Sequence, residues 1–448
     1  MAREIQCDLA IVGGGLSGSL VVIQLLERLR ERGSSGSAPA RLVLFDRLGA
    51  FGGGIPYGEL HAQPGFLLIE PAAESTSSEF QDWLIQNREI LLAQLCASED
   101  TALKAWVQEN GAQFARGHIG DLFIPRRLFG QFIRTRLRTV THAAAAERLA
   151  EIELLHEEVL SLEVCTNGGF RLLTASSIAH AATAVLAVGC VPRAACAALS
   201  VTDGYVHDVW DQGYAGVNAA ISARAQESGR LLDLLIMGSG ASAGELVYFL
   251  KHSPRLLAKL RSIRVVSRSG YLAGGGAGAA PGHPLLADAW ALKRRSAREY
   301  TAAARALAQS GLLSPVAAII SAPPRLTADK RLELLPASGT GAPLLADVVI
   351  NCMGTGELDT TSSPLLAAMS RTNPGFRINR LGIGFQLREG SAETADAEGC
   401  FVIGPLQNEE EIQTHVESIH GVYRSANSLV PRLCARLNIA MTSTGATA

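Results

Sequence analysis

Two glycine-rich turns, set far apart in one chain, constrain its fold more than any other feature. Gly13-Gly14-Gly15-Leu16-Ser17-Gly18 follows the apolar run Leu9 to Val12, and Gly238-Ser239-Gly240-Ala241-Ser242-Ala243 follows Leu234 to Met237. Each closes a buried-strand pattern and opens a helical one, Leu20 to Leu29 in the first case and Glu245 to Leu250 in the second. A G-x-G-x-x-G/A string has a mechanism only at such a strand-to-helix turn. The first glycine permits the tight turn and the second lets backbone approach a pyrophosphate. The small third residue lets helix pack on strand, and the helix N-terminus offers unpaired N–H groups to the anion. Gly13, Gly15, Leu16, Ser17 and Gly18 are thus one candidate nucleotide site, and Gly238, Gly240, Ala241, Ser242 and Ala243 a second. Two such turns predict two dinucleotides, so that one can pass electrons to the other.

Length and composition fit that reading. A chain of 448 residues predicts two or three domains, and 48% hydrophobic against 18% charged residues excludes global disorder. With 40 basic and 42 acidic residues, the net charge of -2 argues against a nucleic-acid partner held by bulk charge. Eight cysteines are scattered without a CxxC pair, which fits reduced thiols better than a disulfide frame or a zinc site, and no metal cluster stands out. No signal peptide or long uninterrupted apolar span is visible. A soluble cytoplasmic protein with no membrane partner is the expectation.

Along the chain, 5–12 reads as a strand, 16–32 as a helix and 41–45 as the next strand, ending on Asp46. An acid at the end of the second strand is where a ribose diol finds a partner; the alternative is a solvated strand end. Residues 51–74 are rich in glycine and proline, 79–117 read as helical, and 128–139 as a basic amphipathic helix. A β-meander is predicted over 151–188, with strands at 152–155, 158–164, 170–174 and 184–188, the last ending at Gly189. A helix is predicted over 215–230. Strand 263–266 then ends on Ser267-Arg268. Arginine at a position where NAD enzymes carry an acid pairs with a ribose 2′-phosphate, which favours NADPH over NADH; the alternative is an exposed arginine. Helix is expected over 285–310, and Asp347 to Gly354 repeats the strand-then-glycine ending of Gly189. A final strand, Cys400 to Ile403, leads through Gly404 to a helix over 410–433 and a disordered tail at 441–448.

These residues resemble the two-dinucleotide flavoproteins. Within them the chain is similar to bacterial FAD-NAD(P)-binding proteins related to class B flavin monooxygenases and ornithine or lysine N-hydroxylases. The resemblance is carried by Gly52-Gly53-Gly54-Ile55-Pro56-Tyr57-Gly58, His61 with Leu67-Leu68, Pro71-Ala72, Phe80 with Trp83-Leu84, Pro125-Arg126-Arg127-Leu128-Phe129-Gly130 and Asp208-Val209-Trp210-Asp211. It departs at Ile69-Glu70-Pro71-Ala72, at Asn408-Glu409-Glu410-Glu411-Ile412 and in the run Gly274-Gly275-Gly276. The resemblance implies an α/β fold of two Rossmann-like domains, a NADPH-binding domain (201–343) being inserted into a FAD-binding domain (1–200 and 344–448). It further implies that Gly404 approaches the flavin ribityl-pyrophosphate and that the backbone near Val159 contacts adenine. Pro56, Tyr57 and His61 would line the flavin site, with Arg126 or Arg127 reaching a pyrophosphate or a substrate carboxylate. His61 reads equally well as a surface hydrogen-bonding residue. The activity implied is NADPH-dependent monooxygenation of a small molecule through a flavin hydroperoxide, with oxygen as co-substrate. The alternatives are an NAD(P)H-dependent flavin reductase or dehydrogenase with another acceptor, and a non-catalytic flavin-binding protein.

Overall fold

The computed structural model describes residues 2–33, 38–59, 63–166, 168–189, 199–210, 214–270, 272–273, 286–287, 296–320, 322–337, 342–354, 363–372, 377–378, 385–386, 399–405 and 419–437. In chain order, β1 (Arg3–Val12), α1 (Leu16–Arg32) and β2 (Ala40–Phe45) precede helices α2 (Ser78–Cys96), α3 (Thr101–Ala115) and α4 (Arg126–Ala146). Strands β3 (Ala150–Leu155), β4 (Ser161–Val164), β5 (Phe170–Leu173) and β6 (Ser177–Leu186) follow. Next come β7 (Tyr205–Val206), α5 (Tyr214–Ser228), β8 (Leu232–Met237), α6 (Ala241–Lys251) and β9 (Leu260–Ser267). Helix α7 (Arg298–Gln309), β10 (Leu313–Ala317), β11 (Val348–Asn351), β12 (Cys400–Val402) and α8 (Ile419–Arg436) complete the series used below.

The chain divides into two compact units: residues 1–58, 128–193 and 355–448 form the first, and 59–127 with 194–354 the second. This partition differs from the expected boundaries in three places, the shortest being residues 194–200, which fall in the second unit. Residues 59–127 group with the second unit because their backbone and side chains are bonded to its helices; Tyr248 on α6 donates to Ala102 O, and Arg298 to Asn110 Oδ1. Residues 344–354 also belong there, because β11 completes the second unit's sheet.

In the first unit the strand order is β3-β2-β1-β6-β5-β4, with β12 also on β6. Strands β3, β2, β1, β6 and β12 run parallel, and β6, β5 and β4 form an antiparallel extension. The first strand of the expected meander is therefore a parallel neighbour of β2. It arrives from helix α4, and a strand delivered by a helical crossover pairs parallel. Register aligns the carboxyl ends: Val12 stands opposite Phe45 and Leu186, Phe45 opposite Leu155, and Leu186 opposite Val402. Burial drives this arrangement. One face of the sheet builds a core from Val12, Phe45, Leu155, Val159, Leu186 and Val402, while α1 packs against α8.

The second unit holds a five-stranded parallel sheet in the order β10-β9-β8-β11-β7. Strand β8 is buried at every residue, as expected of a central parallel strand covered on both faces. Met237 stands opposite Val266 and Asn351, and Ile350 opposite Val206. The helix expected over 285–310 is realised, among the described residues, as Arg298–Gln309. Of the helix expected over 410–433, Ile419–Arg436 is described.

Candidate functional site

Because the strand ends of the first unit are in register, the residues that follow them share one edge of the sheet. Gly13 has φ +104°, and its N–H donates to Phe45 O at 2.8 Å. A Cβ there would collide with Ala187 O, one residue beyond β6, while Ala187 N–H donates to Val12 O at 2.7 Å. A Cβ on Gly18 would collide with Gly13 O, so the third glycine sets how closely α1 can approach the turn. The Gly15 N-cap gives α1 no side-chain cap, so the helix presents N–H groups that a bound anion can satisfy. Leu16 and Ser17, its first two residues, are buried. Gly404, at φ +99°, lies against Ser17, whose Oγ is 2.8 Å from the position a Cβ would take. Gly189 has φ +76° with open space where a Cβ would point.

Asp46 is at the same edge. One carboxylate oxygen accepts from Gly14 N–H at 2.9 Å, and the other from Leu48 N–H (2.9 Å) and Ala50 N–H (3.1 Å). The acid thus shapes the glycine turn. Ser19 Oγ donates to Gly14 O at 2.8 Å and accepts from Gly52 N–H at 3.0 Å, and Gly52 N–H also reaches Gly14 O at 2.8 Å. These bonds draw the segment 51–57 over the turn. A Cβ on Gly15 would meet Gly54 Cα at 3.3 Å. Pro56 and Tyr57 are half-buried in the one-turn helix Gly54–Tyr57, and the Tyr57 ring meets Phe129 edge-on at 5.4 Å. Val159 directs its side chain into the core of the sheet. His61 lies outside the described residues.

The second unit repeats this construction. Gly238 has φ +99°, its N–H donates to Val266 O at 2.8 Å, and a Cβ would collide with Cys352 O. Cys352 N–H donates to Met237 O at 2.8 Å, matching Ala187 on Val12. Gly354, like Gly189, follows two residues later with positive φ and open space. The Gly240 N-cap leaves α6 without a side-chain cap, with Ala241, Ser242 and the buried Ala243 as its first residues. Ser267 is the last residue of β9, half-buried, and Arg268 beyond it is exposed. Both turns therefore fit the pyrophosphate of a dinucleotide: each pairs an uncapped helix start with a glycine that no other residue could replace.

Arg126 and Arg127 were candidates for one role, and the structure separates them. Arg127 is half-buried in the second unit. Arg126 is buried there: its guanidinium pairs with Glu245 Oε1 on α6, donates to Leu67 O and lies over the Phe66 and Trp210 rings at 5.4 and 5.6 Å. Arg126 is therefore occupied by a buried carboxylate. Tyr300 on α7 accepts from Leu67 N–H at 2.7 Å and donates to Leu67 O at 3.2 Å. Burial raises the Glu245 carboxyl above its usual range, and the Arg126 charge and hydrogen bond offset part of that rise. Sequence reasoning missed Glu245, because a lone acid within a helix pattern reads as a solvated face. It also missed Ser19, which sits inside the first turn but outside the glycine spacing.

Among the described residues no group of three or more metal-ligating side chains is present, and no helix is long and apolar enough to cross a membrane. The cysteines placed by the structure are all free thiols. Cys352 and Cys400 are buried, and burial raises both thiols far above their usual range. That does not suit either to act as a thiolate nucleophile.

Residues 10–191 match the model of the FAD-NAD(P)-binding family. FAD and NAD(P)H are the cofactor pair of such an oxidoreductase fold. An uncharacterised protein of Mycobacterium tuberculosis is 27% identical over 516 residues, covering 96% of each chain. Among solved structures, L-lysine 6-monooxygenase from Pseudomonas syringae is similar with a TM-score of 0.56 at 17% identity, covering 96% of this chain and 100% of that one. A flavin monooxygenase from Stenotrophomonas maltophilia gives 0.51 at 13% identity, covering 97% and 99%. Thioredoxin reductases also match. The two monooxygenase likenesses show the two-dinucleotide α/β fold.

Proposed function

We propose that the protein is an NADPH-dependent FAD monooxygenase that oxygenates a small molecule at nitrogen, sulfur or carbon. The observation that supports it most is the duplicated turn: two uncapped helix starts, each beside a glycine closed against a neighbouring strand's carbonyl. Two dinucleotides with different roles account for the duplication. Bound flavin supplies oxygen activation and bound NADPH supplies the hydride. The chain's own residues bind, orient and exclude water.

In this reading the first unit takes FAD. The N-terminus of α1, with Gly13, Gly15, Leu16, Ser17 and Gly18, holds its pyrophosphate, and Gly404 and Gly189 leave backbone room beside it. Asp46 takes the ribose with the lone pair left after its three backbone bonds. The Val159 backbone is assigned to adenine, and Pro56 and Tyr57 to the flavin side. The second unit takes NADPH. Gly238, Gly240, Ala241, Ser242 and Ala243 hold its pyrophosphate, and Ser267 with the exposed Arg268 reads the 2′-phosphate. The lack of any CxxC pair in the sequence supports an acceptor other than a disulfide.

The test is spectroscopic. Anaerobic NADPH should bleach the flavin absorbance, and oxygen uptake should rise with a substrate from a panel of amines, amino acids and aromatic metabolites, giving an oxygenated product. A bound flavin that NADPH cannot reduce overturns the reading. Reduction of an added acceptor without any oxygenated product makes the protein a reductase.

A further inference from the structure

Glu245 is the fifth residue of α6, about 7 Å along the axis from the Gly240 cap whose N–H groups face the second turn. A carboxylate so near an anion-binding helix start opposes the field that attracts a phosphate. It is also withdrawn from water, with side-chain exposure of 3%, so solvent does not screen it. Oε2 is buried without a hydrogen-bond partner, and compensation falls to Arg126 on Oε1. Among the described residues, the other ionisable groups facing it are neutral or acidic. They are Tyr214 on α5, Tyr300 on α7 and Cys352 after β11, with Asp208 after β7 acting on Cys352. Burial raises the two tyrosines and the thiol, so none carries charge near neutral pH. Among the described residues Arg126 is thus the cation that balances Glu245 in this cluster.

We infer that Arg126 is a charge-compensating residue for the second nucleotide site, cancelling the buried Glu245 carboxylate so that the α6 N-terminus can hold a dinucleotide pyrophosphate. This rests on the reading of the Gly238 turn as a nucleotide site. It goes beyond that reading by assigning a role to a pair that need not touch the nucleotide. A pair that only held the unit together would respond alike to loss of either partner. A compensating pair responds with opposite sign. Arg126→Met leaves an unbalanced anion and weakens binding, while Glu245→Gln leaves an unbalanced cation and strengthens it.

The experiment measures the NADP+ dissociation constant by calorimetry on the purified flavoprotein, from pH 7 to 9, each variant being compared with wild type at the same pH. Arg126→Met should bind on the order of tenfold more weakly at high pH. Its deficit should shrink as pH falls, because Glu245, stripped of its counter-charge, takes up a proton. Glu245→Gln should bind more tightly than wild type, and Arg126→Met with Glu245→Gln together should recover most of the affinity with no pH-dependent deficit. If Arg126→Met does not fold, Glu245→Gln and the double variant still decide the matter, because weakened binding in both overturns the inference. Equal weakening in all three variants, or unchanged affinity in Arg126→Met, also overturns it. A wild-type protein that binds neither NADP+ nor NAD+ overturns the nucleotide reading itself, and the role of the pair with it.

Discussion

At the residue scale, the two first glycines carry separable consequences. Gly238 combines φ +99° with a Cβ position blocked by Cys352 O, so any side chain there strains the backbone and forces the strand ends apart. Gly238→Ala should leave the flavin bound and the protein yellow, yet abolish its reduction by NADPH; reduction at the wild-type rate would separate the turn from the nucleotide. Arg268 is exposed, so a contact with a 2′-phosphate, as proposed for it, would be partly screened. Arg268→Ala should raise the KM for NADPH on the order of tenfold and leave that for NADH unchanged. A steady-state comparison of the two nucleotides decides it. Asp46 differs from both, since it holds three backbone N–H groups before any ribose arrives. Asp46→Ala should therefore lower the stability of the flavin-free protein as well as flavin affinity. A loss confined to affinity would leave the turn to other restraints. The glycine spacing was legible because it is a local requirement of a strand-to-helix turn. The backbone duty of Asp46 was not, because it depends on the path of residues 48–50.

At the element scale, the segment 51–57 is held over the first turn by Ser19 and the glycines. Ser19 is buried, and its hydroxyl bonds Gly14 O and Gly52 N–H together. Ser19→Ala leaves a buried acceptor and a buried donor each with one bond fewer, at a cost of about 1–2 kcal/mol. A thermal melt of the flavin-loaded protein should show a lowered midpoint, and an unchanged midpoint would mean that the Gly52–Gly14 backbone bond suffices. The same scale explains the misplaced meander. Strand 150–155 has the composition of any half-buried strand, and its direction follows from α4 before it. Alternation within a strand predicts which faces are buried. It carries no information about the neighbour on each side.

At the scale of the whole molecule, each unit is assembled from separated stretches of chain, and long-range charge pairs hold the second one. At the amino end of β8, Asp233 accepts from Arg261, Ser262 and Arg331, while Arg230 pairs with the buried Asp347. Burial pushes the Asp233 carboxyl up, but hydrogen bonds from Arg261 and Ser262 and the charges of Arg261 and Arg331 hold it below the usual aspartate range. A carboxyl depressed in the folded state contributes stability that is present above its unfolded pKa, about 3.9, and is lost as pH falls through the folded value. Acid titration of the melting temperature should therefore show a loss setting in below about pH 4. Asp233→Asn should be less stable at neutral pH and flatter on that acid limb; an acid limb identical to wild type would exclude the contribution. What the sequence alone determined is the fold class: two strand-turn-helix units with closely spaced glycines, an acid after one second strand and an arginine after the other. Those features are local, each fixed within a few residues by backbone sterics and hydrogen bonding. Only the tertiary structure decided that 59–127 and β11 belong to the second unit, and that Arg126 serves a buried carboxylate 119 residues away. Such pairings come from burying charge and surface together, and no periodicity in the chain records them.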